Sequence, residues 1–127
     1  MNRQFYPLQR DQALAIISWR YPPPYDVYNL APDDLADLLN PQNAFFALIQ
    51  TDNTLAGFCS FGPDGQVSGG NYDATALDIG MGLHPDLIGR GQGRHYAIAV
   101  ARYGSSQFGE QRLRVTIATF NIRAQRL

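Results

Sequence analysis

The chain has 127 residues, 45% of them hydrophobic and 17% charged, which suits one domain spanning 1–127 with a real core. Net charge is −1 and every basic residue is an arginine, so a P-loop and a pyridoxal Schiff base, which each need a lysine, are excluded. No apolar run approaches the roughly 20 residues of a membrane span and the N-terminus lacks a secretory apolar segment, so a soluble, cytoplasmic protein with no membrane partner is expected.

Phe5-Tyr6-Pro7-Leu8 reads as a short edge strand, because proline cannot donate to a ladder. Asp11 is placed to cap a helix running through Ala13, Leu14, Ile16, Ile17 and Trp19, which Pro22-Pro23-Pro24 must end. A second short helix starts near Pro32, shows Leu35, Leu38 and Leu39 on one side, and stops at Asn40-Pro41. Ala44–Ile49 and Leu55–Phe61 form a hairpin around the turn chemistry of Thr51-Asp52-Asn53-Thr54.

Ala76–Leu83 reads as a central strand, and glycines within it (Gly80, Gly82) signal close approach of another backbone or a ligand. Pro85 ends it, and a glycine-rich turn follows over Gly89–Gly93. The spacing of Ala97, Ile98, Ala101 and Phe108 predicts a helix over Arg94–Phe108, stopped by Gly109. Leu113, Val115 and Ile117 alternate with Arg112, Arg114 and Thr116, the period of a strand, and Asn121 begins a last helix. The order is β-α-α-β-β-β-α-β-α, an α/β chain.

Cys59, the single cysteine, lies in an apolar run and reads as a buried small hydrophobe. With His84 and His95 the only imidazoles, no metal site is expected. Charge is uneven: residues 1–89 hold three Arg against ten Asp, and residues 90–127 hold seven Arg against one Glu. The C-terminal part suits an anionic partner, but its aromatics do not interleave with arginine, so nucleic acid is not expected.

Leu83-His84-Pro85-Asp86-Leu87-Ile88-Gly89-Arg90-Gly91-Gln92-Gly93-Arg94 carries the chemistry. Glycines between a strand and a helix free several N–H groups to face one anion, and the helix N-terminus adds partial positive charge. A diphosphate fits such a place. The dinucleotide fingerprint fails in both registers, at Tyr96 and at Arg94. The run resembles motif A of the GNAT (Gcn5-related) N-acetyltransferases, Q/R-x-x-G-x-G/A, with Gly91 and Gly93 at its small positions and Ile88 departing at the first. Leu83-His84-Pro85 resembles the V-x-P that ends the family's fourth strand, and Val115–Leu127 resembles motif B, a strand leading into N-x-R-A-x-x-L.

The resemblance implies a mixed central sheet of the GNAT type, splayed between the strands at 76–83 and 113–119, with the family's C-terminal strands missing after Leu127. It implies acetyl-CoA as cofactor: pantetheine against Met81 and Leu83, pyrophosphate on Gly89, Arg90, Gly91, Gln92, Gly93 and Arg94, and Asn121 touching pantetheine or simply capping its helix. The implied reaction is attack by a primary amine, on a small molecule or protein, on the thioester. The Leu83 N–H would hold the oxyanion, and Asp78 would be the base or else a solvent-facing strand residue. Tyr21, Tyr25, Asp26 and Tyr28 would bind the acceptor or cover the sheet. The alternative is a catalytically silent acyl-CoA-binding module. The family's general acid is expected beyond Leu127, and the sheet edge left by missing strands would favour a homodimer.

Overall fold

Short apolar runs covered on both faces build, among the described residues, one five-stranded sheet in the order β1-β2-β3-β4-β5. The computed structural model describes residues 4–66, 76–109, 112–116 and 122–125; Asn121 and 117–120 lie outside them. Strand β1 (Gln4–Pro7) is the edge, antiparallel to β2 (Phe45–Ile49), which pairs with β3 (Leu55–Phe61) and through it with β4 (Ala76–Leu83). Strand β5 (Arg112–Arg114) runs parallel to β4.

Parallel neighbours need a crossover, and α3 (Gly93–Phe108) provides it. On one face of the sheet, α1 (Arg10–Ser18) and α2 (Leu35–Leu39) lay Ala13, Ile16, Ile17 and Leu38 against Phe45, Ala47 and Phe58. On the other, α3 lays Tyr96 and Val100 against Leu48, Cys59, Phe61, Ile79 and Leu83. Each such large apolar side chain contributes about 1.5–3 kcal/mol on burial. A short helix α4 (Ile122–Gln125) comes last. Among the described residues, no helix is long and apolar enough to cross a membrane.

Three local expectations change. Helix α1 starts one residue before Asp11: Gln9 is the N-cap, and its N–H donates to Gln12 Oε1 at 2.9 Å. The strand expected over 113–119 pairs only at Arg112–Arg114 among the described residues, and Val115 and Thr116 have already left it. Gly82 makes room for a ring, not a ligand, because a Cβ there would stand 2.4 Å from Phe58 Cε1. Cys59 is fully buried, and burial pushes its thiol up to about 12.

Candidate active site

Hydrogen bonds fix which way the β4 backbone faces. Gly62 N donates to Asp78 O at 2.8 Å, and His84 N donates to Ala56 O at 2.8 Å. Even-numbered residues of β4 therefore present their N–H and C=O toward β3. By alternation Ile79, Met81 and Leu83 present theirs toward the β5 side. Among the described residues, pairing with β5 stops at Asp78. The edge of β4 from Ile79 to Leu83 thus faces the β5 side, where the pairing is open among the described residues.

Asp78 stands at the root of that opening and is 4% exposed. Arg114 Nε and Nη2 donate to its two oxygens at 2.6 and 3.0 Å, and Gln66 Nε2 adds a bond of 2.7 Å. The solvent-facing reading of Asp78 is corrected by its burial. Its carboxylate accepts a bidentate guanidinium and an amide, an arrangement suited to clamping strands and ill-suited to taking a proton from a substrate. Neither Arg114 nor Gln66 was signalled as a partner, because they lie 36 and 12 residues away in sequence.

Past Leu83 the chain makes a 3₁₀ turn over Pro85–Leu87, where Asp86 N donates to His84 Nδ1 at 3.1 Å. Gly89 and Gly91 then adopt φ of +81° and +73°, which only glycine takes without strain. A Cβ at either would meet nothing within 4 Å, so the space above the turn is open. Residues 89–92 are outside the helix, which starts at Gly93. Among the described residues, the N–H groups of Gly91, Gln92, Gly93 and Arg94 have no backbone acceptor outside the helix ladder. Unsatisfied amides and the dipole of a 16-residue helix converge there.

The loop after α1 reaches the same strand. Tyr21 Oη donates to Leu83 O at 2.7 Å, a contact spanning 62 residues. Burial pushes the Tyr21 phenol up to about 12. Its backbone is fixed by donation to Asn29 Oδ1 at 2.8 Å, and Arg20 Nη1 donates to the carbonyls of Ile17, Trp19 and Leu30. Tyr25, Asp26 and Tyr28 form a 3₁₀ turn farther out, with Asp26 and Tyr28 exposed. Of the four acceptor-side residues expected from sequence, Tyr21 reaches β4 through its hydrogen bond to Leu83 O. The Trp19 and His84 rings pack at a steep angle with centroids 5.0 Å apart, a neighbour for which the sequence held no signal.

A family model described as Acetyltransferase (GNAT) family matches residues 10–127. The chain belongs to this family. Similar solved structures include a chimera of the spermidine N-acetyltransferase SpeG from Vibrio cholerae and hSSAT, at TM-score 0.72 and 18% identity, covering 98% of this chain and 75% of that one. An acetyltransferase (GNAT family) from Bacillus anthracis matches at TM-score 0.72 and 17% identity, covering 99% and 76%. AAC(6')-Iy in complex with a bisubstrate analog, CoA-S-monomethyl-acetylneamine, matches at TM-score 0.60 and 17% identity, covering 99% and 86%. At these identities the likeness is one of fold. No curated protein shows significant sequence similarity.

As a GNAT acetyltransferase, the chain has acetyl-CoA as its cosubstrate. The residues present fit that group. The open turn at Gly89 and Gly91 has room for phosphate oxygens beside free amides. The Met81 and Leu83 edge offers donors and acceptors to an extended amide-bearing arm, as an added strand would use them. Asn121, expected to touch that arm, lies outside the described residues.

Proposed function

We propose that the chain moves an acetyl group from acetyl-CoA to a primary amine by direct attack. The observation that carries this reading is the orientation of Leu83. Its N–H and C=O face the β5 side of β4, beyond the last pair among the described residues, and the glycine turn with its open space begins six residues later. The Leu83 N–H holds the oxyanion that develops as the C–N bond forms. The C–S bond then breaks, and the thiol leaves with the proton that the amine surrenders.

Gly89 through Arg94 hold the diphosphate, with Arg90 and Arg94 exposed to add charge. Asn121 and Met81 hold the pantetheine arm. Because Asp78 is committed to Arg114 and Gln66, we assign it to holding the strands, and proton removal to a water chain. Tyr21, Tyr25, Asp26 and Tyr28 line the acceptor side. The exposed carboxylate of Asp26 suits a cationic amine, the kind of acceptor named for the spermidine and aminoglycoside enzymes of similar fold.

Release of coenzyme A thiol from acetyl-CoA, followed with a panel that includes spermidine and neamine, tests the reading. Amine-dependent release is expected. Coenzyme A binding with no amine-dependent release would favour a silent acyl-CoA-binding module instead.

A further inference from the structure

We infer that the Tyr21 oxygen accepts an N–H of the acceptor amine and so leaves the amine's lone pair free to attack; this rests on the acetyl-transfer reading above. A phenol has one proton and two acceptor lone pairs. That proton is committed to Leu83 O at 2.7 Å, so toward the opening the hydroxyl can only accept. A donor at this place would instead hydrogen-bond the amine's lone pair and mask the nucleophile. Turning the proton toward the amine would forfeit the bond to Leu83.

The placement is fixed from both sides. The Tyr21 N–H is tied to Asn29 Oδ1 at 2.8 Å, and Arg20 holds the neck of the loop through three carbonyls. The Leu83–His84 peptide is held at both ends, its carbonyl by Tyr21 and its N–H by Ala56 O. The Leu83 carbonyl faces the same side of β4 as the Leu83 N–H, the group assigned to the oxyanion. An amine on Tyr21 therefore sits beside the thioester carbon. Burial also keeps the phenol un-ionised, up to about 12, so it remains a neutral acceptor over the range in which amines lose their proton.

Tyr21→Phe tests this, with hydroxylamine as a minimal acceptor whose shape makes no demand on the outer loop. With acetyl-CoA saturating, the variant is expected to acetylate hydroxylamine at least tenfold more slowly, with the loss in the amine-dependent constants. Its dissociation constant for acetyl-CoA should stay within twofold, and the midpoint of its pH–rate profile should not move. A purely structural role would weaken acetyl-CoA binding as well, and that result overturns the inference. Should Tyr21→Phe fail to fold, a ring-fluorinated tyrosine at 21, a weaker acceptor of the same shape, is expected to slow transfer with acetyl-CoA affinity unchanged. If bound acetyl-CoA acetylates hydroxylamine no faster than free acetyl-CoA, the acetyl-transfer reading fails and takes the inference with it. If the unaltered chain catalyses transfer and Tyr21→Phe matches it, the inference alone fails.

Discussion

Asp78 and Arg114 hold each other across one paired rung of the two parallel strands, with Arg114 Nε 2.6 Å from Asp78 Oδ1 and Nη2 3.0 Å from Oδ2. The pair sits at the end of the β4–β5 pairing among the described residues. It ties down the root of the opening whose far end, at Leu83, is assigned to the thioester. Removing one partner of a buried pair leaves the other's charge without compensation. Asp78→Asn should therefore cost roughly 3–5 kcal/mol of folding stability, read from the urea midpoint. A base role for Asp78 would give a different result: a variant of near-normal stability with its rate collapsed.

Gly82 faces the Phe58 ring across β3 and β4, where a Cβ would stand 2.4 Å from Cε1 and 2.5 Å from Cζ. Neither the strand backbone nor a packed ring moves cheaply. Gly82→Ala should destabilise by about 1–3 kcal/mol, again measured by denaturant unfolding. A neutral result would mean that Phe58 swings aside freely.

Two buried acids give the domain an alkaline limit. Burial raises Cys59 from 9.0 to about 12 and Tyr21 from 10.0 to about 12. For each, the unfolded chain releases its proton first as pH rises. Stability is therefore whole below the ordinary thiol range and falls as pH climbs from 9 toward 12, Cys59 acting first and Tyr21 from 10 upward. Urea midpoints taken from about pH 8 to about pH 11 should show this decline, and Cys59→Ala and Tyr21→Phe should each flatten it. A flat profile in the unaltered chain would contradict the burial of both groups.

The order of elements was legible because each run carries its own period. Apolar runs around turn residues mark β2 and β3, and glycines at 89 and 91 mark the turn between β4 and α3; α3 itself was legible, but its buried face is Tyr96, Val100 and Gly104, whereas Ile98 and Phe108 of the face expected from Ala97, Ile98, Ala101 and Phe108 are exposed. Burial of Cys59 followed from its apolar neighbours. What the sequence could not disclose was pairing at a distance. Period two tells which residues share a face, not which strand or loop comes to cover it. Arg114 meets Asp78 across 36 residues and Tyr21 meets Leu83 across 62, and no local pattern encodes either. Alternation likewise continues past Arg114, but Val115 and Thr116 are not paired with β4, and 117–119, the rest of the expected strand, lie outside the described residues.

We propose that the amides from Gly89 to Arg94 cradle the diphosphate of acetyl-CoA, and calorimetric titration of acetyl-CoA tests this most directly. The unaltered chain should bind, and Gly91→Asp and Gly93→Asp should each lose binding while still folded, because a carboxylate would occupy the open space at Gly91 or bring negative charge to the first residue of α3 at Gly93. Unchanged affinity in either folded variant would contradict the account.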